Sequence, residues 1–204
     1  MLLVMPAMLM VLLVVIWSRS LDPLLRLTFR QKFLAAAALA LQLAALGADR
    51  GLVGLSTGQL ACVLAMSNAL LLAFVFANRR VSGMKIIGVG LVLNVAVMAV
   101  NHGYMPVTAD TLQRSGQHLC FLGEAEEWPV TKGKSIILER DETRLWYLSD
   151  VLVPPTPLPV RNPLSAGDIV LACGLALVVA GAVKLGDGGA ALKRTVGAQK
   201  AACA

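Results

Sequence analysis

Seven polar side chains stand where they could do chemistry. Asn101, His102 and Asp168 lie at the ends of apolar segments, and Asp150, in the stretch between them, is expected at the same membrane level. An imidazole with two carboxylates at one level could move protons or hold a cation. Gln42, Asn68 and Asn94 lie near the middle of three successive apolar segments. Amides in hydrocarbon seek partners, and a helix-to-helix bond of this kind contributes about 0.6–2 kcal/mol. Such amides glue helices together or line a polar path. Asn101 follows Asn94 by two helical turns, so the two share a face. No nucleophile–base pattern, cofactor fingerprint or metal-ligand set accompanies them, and His118 with Cys120 is too little for a metal site. The sequence therefore assigns no catalytic residue, no metal and no cofactor. No Asp, Glu, Lys, Arg or His occupies the centre of an apolar segment, which argues against an ion-driven transporter.

The elements that must position these residues follow from composition. The chain is 57% hydrophobic and 15% charged, against about 25% charged in a soluble domain. Its apolar residues form blocks: Leu2–Trp17, Phe33–Ala48, Leu55–Ala77, Met84–Tyr104 and Ile169–Leu185. About 20 helical residues cross a bilayer core. The blocks thus predict an all-α membrane protein with about five transmembrane helices. The first block has no charged side chain before it and Arg19, Arg26, Arg30 and Lys32 after it. That reverses the order of a cleaved signal peptide and predicts a retained helix.

Charge sets the orientation. Of the 18 basic residues, Arg19, Arg26, Arg30, Lys32, Arg79, Arg80, Lys85, Lys184, Lys193, Arg194 and Lys200 fall on one side of the blocks, and ten of the 12 acids fall on the other. The positive-inside rule places the basic side in the cytoplasm. The expectation is a multi-pass protein of a bacterial cytoplasmic (inner) membrane, with its N-terminus outside and its C-terminus inside. The net charge of +6 is then a topology signal and implies no nucleic-acid partner. The expected partners are the lipid bilayer and another membrane protein or a second copy of the chain. Ser20–Arg30 reads as a short interfacial helix before the second span.

Three regions follow: 1–107 with four spans, 108–166 as an extracytoplasmic insertion, and 167–204 with the last span and tail. In the insertion, Thr108–Gly116 reads as a short helix with a Thr cap and a Gly stop. Ser135–Glu139 and Thr143–Leu148 read as two strands of a β-hairpin around Arg140-Asp-Glu. The stretch after Val151 is proline-rich and extended. Trp128, Trp146 and Tyr147 suit the headgroup level. Cys62 and Cys173 fall in spans, Cys120 in the insertion and Cys203 in the tail, which builds no disulfide framework.

Two outer motifs have local explanations. Gly103 and Pro106 stop the fourth helix. Ser165 and Asp168 form a capping box on the fifth. The same residues carry a likeness. Asn101, Gly103, Met105, Pro106 and Val107, then Leu148 and Asp150, then Ser165, Gly167 and Asp168 resemble an Asn-Gly-Gly-x-Met-Pro-Val, Leu-x-Asp and Ser-x-Gly-Asp pattern. That pattern belongs to a family of uncharacterised bacterial integral membrane proteins, a domain of unknown function. His102 departs from its first Gly. The resemblance implies a polytopic membrane protein and brings no activity. Two functional classes remain. The favoured one is a non-enzymatic accessory, scaffold or assembly component. The alternative is a small-molecule or lipid-handling protein, passive carrier or membrane enzyme, using the midplane amides and the outer Asn/His/Asp group.

Overall fold

A computed structural model describes residues 27–49, 51–116, 131–132, 135–154 and 162–202, with backbone alone at 49, at 131–132 and from 185 onward. The first apolar block, the 20–26 stretch, Cys120, Trp128, the prolines at 155–159 and Cys203 lie outside the described residues.

Apolar, unbroken runs make the helices. They are α1 (Lys32–Asp49), α2 (Thr57–Ala77), α3 (Met84–Val100), the short α4 (Ala109–Arg114) and α5 (Ala166–Ala202). Among the described residues, two helices are long and apolar enough to cross a membrane, Thr57–Ala77 and Ala166–Lys184, while Lys32–Ala48 and Met84–Val100 are shorter apolar helices. Of the five expected spans, the first lies outside the described residues, two are helices long enough to cross, and two are shorter, so a count of five is not supported. The last helix also runs well past the expected end at Leu185.

The four long helices form a row. α1 packs on α2, α2 on α3, and α3 most extensively on α5. The α3–α5 contact is close because it is built on glycine. A Cβ on Gly90 would lie 2.7 Å from the Gly167 carbonyl oxygen, and one on Gly167 would lie 2.0 Å from Asn94 Oδ1. Only a residue without a Cβ lets these backbones touch. One apolar cluster, Ala38, Leu71, Val75, Met84, Leu91, Leu171 and Val178, fills the end of the row where α2 finishes and α3 begins, called here the inner end. A second joins Leu60, Leu64, Val97 and Met98 to a cap over the opposite, outer end.

The cap is a three-stranded sheet ordered β1 (Met105–Val107), β3 (Ser135–Ile137), β2 (Thr131–Lys132). The expected hairpin of 135–139 with 143–148 does not form. Ser135–Ile137 pairs in parallel with Met105–Val107 and antiparallel with Thr131–Lys132, and Trp146–Leu148 is a 3-10 turn. Burial explains the choice. A lone hairpin is marginal in water. In the observed pairing Ile136 turns down into the bundle cluster and Ile137 turns the other way onto Val107 and Leu112, as alternation along a strand requires.

The glycine contact predicts an asymmetry between two equal changes. Gly167→Ala should lower stability in detergent by about 1–3 kcal/mol, the usual cost of overpacking. Gly58→Ala, where an added Cβ meets nothing within 4 Å, should be neutral or slightly stabilising. Thermal unfolding of the two variants side by side checks this, and a rise in melting temperature for Gly167→Ala would sink the argument.

Candidate functional site

The seven candidate residues are regrouped by the tertiary structure. Asn94 is fully buried, and its partner is Asp168, from the set expected at the outer surface. Asn94 Nδ2 donates to Asp168 Oδ1 at 2.9 Å, and Asn94 Oδ1 accepts from the Ser165 hydroxyl at 2.9 Å. The capping box closes beside them. Ser165 Oγ accepts from the Asp168 N–H at 3.1 Å, and Asp168 Oδ2 accepts from the Ser165 N–H at 3.1 Å. The three side chains thus form one ring of bonds. The carboxylate takes a donor on each oxygen and sits at a helix N-terminus, where negative charge is favoured.

This ring lies inside the row, not at its rim. Asn94 is six residues before the end of α3, or about 9 Å along a helix axis. Asn101, seven residues on, lies about 10 Å away in the outer direction. α5 therefore starts recessed, and Asp168 does not share a level with Asn101. His102 is exposed, has a positive φ of 57°, and makes no hydrogen bond or ion pair with a described residue. The structure does not bring His102 to Asp168.

Asn101 is 2% exposed and acts on the backbone. Its Nδ2 donates to the carbonyls of Val97 (2.8 Å) and Arg144 (2.9 Å), and its Oδ1 accepts from the Arg144 N–H at 3.1 Å. It takes both backbone groups of Arg144, the groups a β-hairpin would have used. Asp150 is buried, and its N–H donates to the Pro106 carbonyl at 3.2 Å. The Tyr104 hydroxyl donates to the Thr57 carbonyl, tying the cap to the start of α2. Burial pushes the Tyr104 phenol above its ordinary pKa.

The other two amides stand apart. Asn68 is buried and donates from Nδ2 to the Met98 sulfur at 3.7 Å. Its side-chain oxygen accepts nothing from a described group. Gln42 is half-buried on α1. Sequence reasoning missed Ser67, whose hydroxyl donates to the Ala38 carbonyl at 3.2 Å. It also missed Asn78. Asn78 donates from Nδ2 to the carbonyls of Arg30 (3.0 Å) and Phe74 (2.8 Å) and accepts at Oδ1 from the Arg30 N–H (2.8 Å). Its signal was an Asn directly after an apolar run, a common C-terminal stop.

Among the described residues no three of His, Cys, Asp and Glu gather as metal ligands. Cys62 and Cys173 are free and exposed. Asn94, Ser165, Asp168, Asn101 and Asn78 spend their side chains on bonds that hold helices, cap and the segment before α1 together.

A family model matches residues 26–180, so the chain belongs to the DUF5317 family, a family of unknown function. No curated protein and no solved structure matches the chain. The match takes in both the Asn94–Ser165–Asp168 ring and the Asn101 clamp.

Two substitutions separate these roles. Asn94→Leu removes a donor from a carboxylate and an acceptor from a hydroxyl, and should cost about 1–3 kcal/mol. Asn101→Ala should instead free the 140–148 segment, read as faster tryptic cleavage at Arg140 and Arg144 with the bundle intact. Cleavage at the wild-type rate would show that the clamp does not hold that segment.

Proposed function

We propose that this member of the DUF5317 family is a multi-pass membrane protein with a non-enzymatic scaffold, accessory or assembly role in a bacterial inner membrane. The observation that carries the reading is the closed ring of Asn94, Ser165 and Asp168. Asn94 and Asp168, two of the candidate residues, spend their side chains on each other and on Ser165.

Surface chemistry supports the membrane. Only 33% of the residues in each long apolar window are buried, whereas a helix in the core of a soluble protein is mostly buried. Leu43, Met66, Phe76, Val89, Val92 and Leu177 are all more than 40% exposed. Large apolar side chains exposed in this number need lipid or protein to cover them. On this reading α1 and α3 cross the bilayer beside the two longer helices, and Leu2–Trp17 adds a fifth span. The inner end, with Arg79, Arg80 and Lys85, faces the cytoplasm by the positive-inside rule. The β1–β3–β2 cap faces outward and offers Trp146 and Tyr147, 39% and 58% exposed, to headgroups or a partner.

The alternative, handling of a small molecule or lipid, draws on one observation. The buried Asn68 oxygen accepts no hydrogen bond from a described group, so a small donor could bind there. It shares no bond with Asn94 or His102, which weakens the case for one polar path.

Orientation and role are tested separately. Cysteine labelling on a Cys-free background should reach position 140 from outside intact cells and leave position 193 unlabelled until the membrane is opened. The reverse pattern inverts the topology. For the role, a photo-reactive residue at position 147 should give a discrete protein adduct in native membranes, unchanged by Asn68→Leu. Absence of any protein adduct, with loss of lipid or solute movement in vesicles on Asn68→Leu, would replace this reading with the alternative.

A further inference from the structure

We propose that the inner end of the helix row binds the headgroup of an anionic phospholipid, through a site built on Arg30, Arg79 and Arg80 and positioned by Asn78. The inference rests on the membrane reading above. It goes beyond the positive-inside bias, because a bias needs only charge on one side of the bilayer. Here the fold gathers the charges at one place.

The gathering is done by Asn78. This side chain is 3% exposed and holds both backbone groups of Arg30, 48 residues away in sequence, at 2.8 and 3.0 Å. Phe29 packs on Phe74 at 5.7 Å between ring centroids, and Leu27 and Phe29 join the inner apolar cluster. The segment before α1 is therefore fixed against the end of α2, and Arg30 is set beside the Arg79-Arg80 turn. Lys32 and Lys85 stand at the same end. Gly181 meets Ser82, which brings Lys184, three residues on, to that end as well.

The cations are exposed and none forms an ion pair with a described residue. The described acids up to Asp168 stand at the outer end or in the cap, and the next acid along α5 is Asp187, one turn past Lys184. Among the described side chains, none offsets the positive charge of Arg30, Arg79 and Arg80 by an ion pair. Guanidinium groups suit a phosphate, which they can grip with paired N–H donors.

Two rings select a lipid over a free phosphate. Phe33 and Phe76 are 66% and 68% exposed. Phe33 follows Lys32 directly, and the Arg79 guanidinium lies over the Phe76 ring, 4.4 Å from its centroid. Arg79 is thus paired with an exposed ring, and a second exposed ring stands at the same end. That is the profile of a headgroup and its acyl chains at the membrane boundary, where basic pockets between helices hold anionic lipids.

The test uses the full chain in vesicles and in detergent. Wild-type protein should retain phosphatidylglycerol over phosphatidylcholine through delipidation, read by native mass spectrometry. Each basic residue near an anionic surface is worth about fivefold. Arg30→Gln, Arg79→Gln and Arg80→Gln together should therefore reduce the preference by about a hundredfold. Arg114→Gln with Arg140→Gln, at the outer end, should leave it unchanged. Asn78→Ala keeps every charge and should still weaken the preference. If it fails to fold, the surface triple variant carries the test alone. Inorganic phosphate alone should stabilise the solubilised protein less than phosphatidylglycerol does, and equal stabilisation would overturn the lipid assignment. A protein that floats with phosphatidylcholine vesicles but shows no lipid preference overturns the site and leaves the membrane reading standing. A protein that does not float with vesicles overturns both.

Discussion

The contact between α3 and α5 is the constraint on which the rest depends. Gly90 and Gly167 bring two backbones so close that no side chain fits between them. That closeness delivers Asn94 to the first turn of α5. The helix begins there with backbone donors that need partners, in surroundings with little water to supply them. Ser165 and Asp168 satisfy part of this need, and Asn94 ties both to the neighbouring helix. A capping box that ordinarily fixes one helix end here also fixes the register between two helices.

From that register the cap follows. Because α5 starts recessed beside Asn94, the chain before it must rise past the outer end of α3. Its route is held by backbone bonds, Asp150 to Pro106 and Leu152 with Leu164. Above α3, Asn101 takes the place of a strand partner for Arg144, and β1 takes the place of a hairpin partner for β3. His102 and Gly103 both have positive φ. Glycine adopts such a conformation readily, whereas His102 adopts it at a cost. Nearly every residue of the three short motifs thus has a structural task. Those tasks account for the motifs without any reaction.

The two ends of the row differ in kind. At the outer end, polar atoms are buried and matched, and apolar strands close over them. At the inner end, one buried amide organises a surface whose described cations form no ion pair. Buried matched groups stabilise and specify a packing, while exposed like charges oppose compactness unless something neutralises them. The first end belongs to the architecture. The second is the part of the molecule whose chemistry points outward.

Much of this was legible in the sequence. The helices follow from unbroken apolar runs. The Thr108 and Ser165 caps follow from side chains that satisfy donors three residues away, and the charge asymmetry follows from counting. These are local properties, set by neighbours along the chain. The pairing of Asn94 with Asp168, across 74 residues, was not legible. Sequence position placed one amide at mid-depth and one carboxylate at the rim, and only a recessed helix start makes them neighbours. The false hairpin has the same origin. Ser135–Ile137 and Thr143–Leu148 each resemble a strand, but which backbone satisfies Ser135–Ile137 depends on which surface can bury Ile136 and Ile137 together. The sequence by itself determined the long helices, the Thr108 and Ser165 caps and the asymmetry of charge. The tertiary structure alone decided which polar groups meet, because partner choice is settled by burial and close approach between segments distant in the chain.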